Sequence, residues 1–306
     1  MYFEFAKRRA WRILPPYYTA CSFAAIIALI SHKQTYTFLL KWLGVHAALL
    51  QITIPGYFDQ ILGQVWSIAL EASCYLLFPV FVEAFKRVNP RTVLVALAVL
   101  NALYRWKIAH LAGLNPDMVF PLTNNVFGRC FEFAVGMFAA LCVSKWVATG
   151  VFPLRVYDLF FILPALWKVH FSLLDPLHIP RLGSTIDLAW GVIFGVVVVV
   201  SSKSFLFRKF LAVPILVWAG EISYSVYLVH AHVLLLLTYL LNYLKCTGAL
   251  MAMAEILVVI PACFAVGCIF FRFFERPFLS RRSPPLMVDR PVDSVSPLGA
   301  VLSGEN

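Results

Sequence analysis

The sequence predicts an all-α fold, a polytopic bundle of transmembrane helices, and three observations carry that reading. Of 306 residues, 61% are hydrophobic and only 13% charged, against roughly half and about a quarter in an average soluble domain. The apolar residues gather into stretches near the length, about 20 residues, that a helix needs to cross a bilayer. The basic residues behind the net charge of +10 stand at the ends of those stretches, which is orientation by cytoplasmic Lys and Arg and not a nucleic-acid footprint. A helix closes its backbone hydrogen bonds within itself, as lipid demands, so a helical bundle is the expected form.

Taken in order, Leu14–Ile30, Val65–Phe85, Thr92–His110, Phe127–Val147, Arg155–Leu173, Ile186–Ser201, Ile222–Tyr243 and Ala249–Phe274 read as spans. Phe38–Ile54 is a further candidate, weakened by Lys41, His46 and Gln51. Lys7, Arg8, Arg9 and Arg12 place the N-terminus in the cytoplasm, and Lys86, Arg87 and Arg91 belong on the same side. An even number of crossings must separate those clusters, so Phe38–Ile54 is expected not to cross. The remaining eight spans put every later basic cluster inside as well, and both termini are cytoplasmic in this topology. Residues 1–282 then form one membrane domain, and the Pro- and Ser-rich stretch 283–306 reads as a disordered cytoplasmic tail. No cleavable signal peptide and no internal repeat is visible. The seven cysteines lack paired spacing and read as small buried hydrophobes, with no metal-ligand spacing among them.

Four clusters carry the polar chemistry. In Gly63–Pro79 the carboxylate of Glu71 lies among apolar residues, with Trp66, Ser67 and Tyr75 near it in sequence. An ionised carboxylate in hydrocarbon faces a protein interior or wet cavity and has a partner, unless it is a helix-end charge near the headgroups. In Lys7–Tyr18 the prolines Pro15 and Pro16 can start a helix, and Arg9 and Arg12, one turn apart, can grip one anionic group. The same patch also reads as a plain cytoplasmic anchor. In Gly128–Met137, Arg129 either pairs with Glu132 across one turn or serves as the partner of Glu71. In Gly220–His232, Ser223, Tyr227 and His230 lie near one helical stripe beside Tyr224. A histidine there can shuttle a proton, or simply bond a neighbouring helix. His46, His110, His170 and His178 sit near ends or loops and read as incidental.

Together these clusters resemble the acyltransferase-3 family of polytopic membrane acyltransferases. Arg8-Arg9-Ala10-Trp11-Arg12-Ile13-Leu14-Pro15-Pro16-Tyr17 follows the family's RRxxRIxPPY opening. Trp66, Ser67, Glu71, Tyr75, Leu76, Phe78 and Pro79 follow its WSLxxExxFYLxFP motif. Arg129, Glu132, Phe133, Gly136, Met137 and Ala140 follow RxxEFxxGMxxA, while Gly220, Ser223, Tyr224, Tyr227, Leu228 and His230 follow GxxSYxxYLxH. Glu275, Arg276 and Pro277 supply the terminal ERP. Each motif alone is loose; their order over residues 7–280 is specific.

The resemblance implies transfer of an acyl group, expected to be acetyl, from a cytoplasmic acyl-CoA to a hydroxyl of a carbohydrate or lipid-linked acceptor. It implies no bound cofactor, no metal and no nucleic acid; membrane lipid surrounds the chain. Catalytic roles fall on Glu71, Arg129 and His230. Substrate-binding roles fall on Arg9, Arg12, Trp66, Ser67, Tyr75, Glu132, Ser223, Tyr224, Tyr227 and Arg276. Family members open with two further helices, the first bearing the histidine taken as the base, and His230 matches a different motif position. Two other classes compete with this reading: an inactive shortened homologue, and a transporter, since intramembrane charges also mark substrate pathways.

Overall fold

The computed structural model describes residues 2–32, 34–54, 56–58, 61–111, 119–149, 180–203 and 209–279. All regular structure among them is helical. In chain order the helices are α1 (Tyr2–Ile30), α2 (Tyr36–Ala47), α3 (Trp66–Arg87), α4 (Pro90–Leu111), the short α5 (Val119–Thr123), α6 (Val126–Thr149), α7 (Pro180–Lys203), α8 (Pro214–Tyr243), α9 (Gly248–Ala254) and α10 (Ile260–Phe270). Two π-turns, Glu255–Val259 and Phe271–Glu275, flank α10. The expected span Arg155–Leu173 and the tail from residue 283 lie outside the described residues.

Five helical stretches among the described residues are long and apolar enough to cross a membrane: Tyr2–Ile30, Gly63–Arg87, Val119–Lys145, Pro214–Tyr243 and Gly248–Phe278. The helix expected at Thr92–His110 forms as α4, which carries Asn101, Arg105 and Lys107 and is not among the five. In α7 the apolar part is the shorter Leu188–Ser202.

Helix α1 departs from expectation. Pro15 and Pro16 do not start it; they lie inside a helix that begins at Tyr2. Each proline lacks the N–H that would bond the carbonyl four residues back. The helix persists because packing outweighs that loss: Pro16, Tyr17, Ala20, Cys21, Ala24 and Ala28 are all buried. The small residues at 20, 24 and 28 form a stripe that neighbouring helices can approach closely. Thr19 donates its hydroxyl to the Pro15 carbonyl at 2.9 Å.

The segment read as non-crossing forms only α2 and a series of turns. Twelve residues make a helix about 18 Å long, well short of a hydrocarbon core of about 30 Å. Thr35 caps its N-terminus, accepting the Phe38 N–H at 3.3 Å. After α2 the chain turns back through Leu49, held at a φ of 57° that a leucine seldom adopts.

The chain divides into two compact units, Met1–Ala69 with Pro214–Leu286, and a second within Leu70–Val213. The first has a core of Tyr17, Trp42, Leu62, Val65, Ile68, Leu228 and Phe270 with the alanine stripe of α1. The second centres on Phe81, Phe85, Ala134 and Leu141. In the first unit α8 packs along α10; in the second, α6 packs against both α4 and α7.

The α8–α10 contact depends on a glycine. A Cβ on Gly267 would overlap the Val226 side chain and come within 3.0 Å of the Val226 Cα, which cannot swing aside. Gly267→Ala is therefore expected to destabilise the protein by about 1–3 kcal/mol through overpacking. A lowered thermal midpoint of the detergent-solubilised variant checks this, with Gly136→Ala, which meets nothing within 4 Å, as the neutral control.

Candidate functional site

In the first unit, α8 presents Tyr227 to the turn that precedes α3, with Tyr224 and His230 about one turn to either side of it. The Tyr227 hydroxyl donates to the Gln64 carbonyl. Ser67 Oγ lies 2.6 Å from the same hydroxyl. Because the tyrosine proton is committed to Gln64, the serine is the donor in that pair. Gln64 returns the connection through Nε2, which donates to the Leu228 carbonyl at 3.2 Å. His230 Nδ1 stands 2.8 Å from the Tyr227 carbonyl. A carbonyl only accepts, so the proton sits on Nδ1 and the lone pair on Nε2. Tyr224 donates to the Ile13 carbonyl of α1 at 2.8 Å, fastening α8 to the basic N-terminal helix.

The other expected residues of this unit occupy less converged positions. Ser223 is exposed and donates back to the Gly220 carbonyl at 2.8 Å. The buried serine is Ser225, which donates to Glu275 Oε2 at 2.5 Å. Glu275 is itself fully buried, and Arg12 is near enough to act on its carboxylate electrostatically. Arg9, Arg12 and Arg276 are exposed, with the Arg9 guanidinium 5.5 Å over the Phe5 ring. Trp66 is half-buried at the first residue of α3.

A second polar cluster in this unit surrounds the end of α2. Tyr17 donates to the His46 carbonyl at 3.0 Å. Gln51 Nε2 donates to the Tyr17 oxygen at 3.1 Å and to the Val65 carbonyl at 3.2 Å. His46 Nδ1 lies 2.9 Å from the Trp42 carbonyl, and the two rings stack with centroids 3.8 Å apart. Tyr17, Trp42, His46 and Gln51 are at most 1% exposed. Three atoms of this cluster are buried with no hydrogen-bond partner: Trp42 Nε1, His46 Nε2 and Gln51 Oε1. Each such atom costs about 1–3 kcal/mol. Burial also pushes the His46 imidazole down to about 4.

In the second unit, Tyr75 donates to Glu71 one turn back along α3. Arg129 Nη1 reaches Glu132 Oε1 at 3.3 Å, and its Nη2 donates to Asn124 Oδ1 at 2.6 Å. The described bonds of Arg129 thus stay within its own helix and the preceding turn. Glu132 has a further cation that the sequence reading did not single out. Arg105 of α4, 1% exposed, reaches Glu132 Oε1 at 3.3 Å and the Gly128 carbonyl at 2.6 Å through Nη2, while its Nε bonds Asn101. Among the described residues no group of three or more His, Cys, Asp or Glu side chains is placed to hold a metal ion.

Arg105, Ser225, Gln51 and Glu275 are the polar residues that sequence reading passed over. An arginine between Tyr104 and Trp106, in a helix read as a membrane span, is a visible signal for the first. The ERP motif pointed to Glu275, but only its arginine was singled out.

Fold and sites define a helical membrane protein whose polar side chains are wired to one another inside apolar helices. The acyltransferase domain family matches residues 1–272, and the chain belongs to that family. It is similar to the peptidoglycan O-acetyltransferase OatA of Listeria monocytogenes serovar 1/2a, at 23% identity over 300 residues. That match takes in 90% of this chain and 46% of the relative, so the chain spans about half the length of the relative. No solved structure matches the chain.

Two outcomes follow for stability. His46 is neutral in the fold, with its folded value near 4 below an unfolded value of about 6.5. Its contribution is present above pH about 6.5 and is lost as pH falls toward 4. The thermal midpoint should fall across that window, and His46→Phe should flatten the fall. Arg105→Leu removes a buried cation from Glu132 and the Gly128 carbonyl, and should cost about 3 kcal/mol, read from reversible unfolding in mixed micelles.

Proposed function

We propose that the chain is a membrane O-acyltransferase that passes an acyl group, acetyl foremost, from cytoplasmic acyl-CoA to a hydroxyl of a carbohydrate or lipid-linked acceptor. Family membership supports acyl transfer, and the name of the similar Listeria protein supports a hydroxyl as the acceptor. The observation that carries the reading is His230. Its Nδ1 proton is tied to the Tyr227 carbonyl, which leaves Nε2 as the lone-pair nitrogen of a ring whose centroid lies 5.8 Å from that of Tyr227.

In this reading the acceptor hydroxyl gives its proton to His230 Nε2 while its oxygen attacks the thioester carbonyl. The carbon–sulfur bond breaks, and the proton passes to the departing thiolate. Arg9 and Arg12, exposed on α1, and Arg276 meet the phosphates of the donor. Tyr224, which fixes α8 to Ile13, holds the tyrosine–histidine stripe against that helix. Glu71, Tyr75, Arg129 and Glu132 act on the acceptor or the acyl path, a role that rests on their motif positions.

The test is acyl-CoA-dependent acylation of a glycoside by purified protein in lipid nanodiscs. His230→Gln should lower kcat by about 10²–10⁴-fold, and Arg12→Ala should raise KM for acyl-CoA with kcat little changed. An unimpaired His230→Gln enzyme would remove His230 as the base, and an unimpaired Glu71→Gln enzyme would remove Glu71 from the mechanism.

A further inference from the structure

The unused hydrogen-bonding groups around α2 define a specific chemical complement. In Trp42, His46 and Gln51 every other polar side-chain atom is engaged. The Gln51 amide nitrogen is divided between the Tyr17 oxygen and the Val65 carbonyl. His46 Nδ1 is spent on the Trp42 carbonyl, which leaves Nε2 as an acceptor. What remains is one donor, the indole N–H of Trp42, and two acceptors, His46 Nε2 and Gln51 Oε1. Unpaired buried atoms are rare in native proteins and mark strain, a functional role or a missing partner. Here three fall within ten residues of chain, 42–51, on side chains no more than 1% exposed.

The mixture of donor and acceptors selects among partners. A metal ion would suit the two acceptors and be opposed by the indole N–H. An anion or a lone carbonyl would suit the indole and leave both acceptors empty. An alkyl chain would leave all three unpaired. A hydroxyl both donates and accepts, and a pair of hydroxyls on adjacent carbons supplies the two donors and one acceptor required.

The cluster is also joined to the stripe on α8. Gln51 donates to the Val65 carbonyl, and Tyr227 donates to the carbonyl of the residue before it, Gln64. Two neighbouring carbonyls of one turn therefore carry the polar groups of both α2 and α8. A guest held at His46 would lie in the same unit as Ser67, Tyr227 and His230.

We propose that Trp42, His46 and Gln51 form a polyol subsite, taking neighbouring, non-reacting hydroxyls of the acceptor. The indole N–H holds one hydroxyl oxygen, and His46 Nε2 and Gln51 Oε1 accept the hydroxyl protons. Burial suits His46 to this role, since it keeps the ring neutral and its lone pair available at physiological pH. The atoms are sealed in this structure, so a guest enters as the turn after α2 shifts. The assignment of the guest as the acceptor rests on the acyl-transfer reading; the complement of one donor and two acceptors does not. Water offers the same hydrogen-bonding chemistry, and the experiment separates the two.

Full-length protein labelled with 15N-histidine is titrated with methyl hexopyranosides, each beside its monodeoxy counterparts, and His46 Nε2 is assigned by comparison with His46→Phe. A matching glycoside should move the Nε2 resonance, and the counterpart lacking a recognised hydroxyl should not. In the acylation assay, His46→Phe and Trp42→Phe should raise acceptor KM at least about tenfold, with KM for acyl-CoA unchanged. Trp42→Phe deletes the indole N–H while retaining an aromatic ring, and serves if His46→Phe does not fold. A Nε2 resonance already hydrogen-bonded in buffer and unmoved by every glycoside identifies a structural water and overturns the proposal. An unchanged acceptor KM in both variants overturns it equally. A glycoside-specific shift in a protein that acylates nothing would sink the acyl-transfer reading and leave the polyol subsite standing.

Discussion

The consecutive carbonyls of Gln64 and Val65 hold the first unit's polar interior together. Tyr227 donates to one and Gln51 to the other, and Gln64 answers with a bond to the Leu228 carbonyl. Val65 is fully buried, and Leu62, Ile68 and Leu228 surround the turn with apolar side chains. In such surroundings an unmade hydrogen bond has no water to replace it, and a made one is electrostatically stronger. The turn therefore fixes where α8 can sit along its own axis. If α8 slid by one residue, Tyr227 would leave its carbonyl, and His230, tied to the Tyr227 carbonyl, would move with it. Tyr224, bonded to Ile13, repeats the constraint one turn earlier.

The second unit solves the same problem with charge. Arg105 is almost wholly buried, and its guanidinium is distributed over Asn101, the Gly128 carbonyl and Glu132. Glu132 in turn is shared with Arg129. Sharing one carboxylate between two helices restricts the rotation of α6 about its axis. Close approach reinforces it: Gly191 of α7 stands where a Cβ would come 2.8 Å from the Glu132 Cγ. A bulkier residue there would press on the ion pair directly.

How much of this was legible in the sequence depends on the range of each interaction. The positions of the helices followed from apolar length, and the short α2 followed from counting basic clusters on either side of it. The Tyr227–His230 relation is local, a bond to a carbonyl three residues back, so helical periodicity could find it. The same periodicity points to Ser223 as the inward serine, yet Ser225 is the buried one because its partner, Glu275, arrives from fifty residues away. Arg105 escaped notice for the same reason: its acceptors lie on α6. In sequence Gln51 and His46 weaken a membrane crossing, and His46 reads otherwise as incidental. The Gln51 amide meets Tyr17 and Val65, contacts visible only once α1 and the α3 turn are in place, while the His46 imidazole bonds the Trp42 carbonyl of its own helix. Pro15 and Pro16 misled in the opposite direction, since local preference at a helix start yielded to the burial of Pro16 and Tyr17.

The π-turn over Phe271–Glu275 gives the C-terminal span a sense of phase. An α-helix advances about 100° per residue, whereas a π-turn holds one residue more than the α-helical count, and such turns recur at functional sites. Glu275, the last residue of this turn, accepts from Ser225 at 2.5 Å. Losing one residue from this stretch while restoring ordinary α geometry would leave the buried carboxylate on its present face, whereas closing the turn to α geometry with every residue kept would carry it about a quarter-turn around the helix. The direction of this buried acidic side chain thus depends on the wide turn before it, and a deletion in this stretch would act as a shortening more than as a rotation.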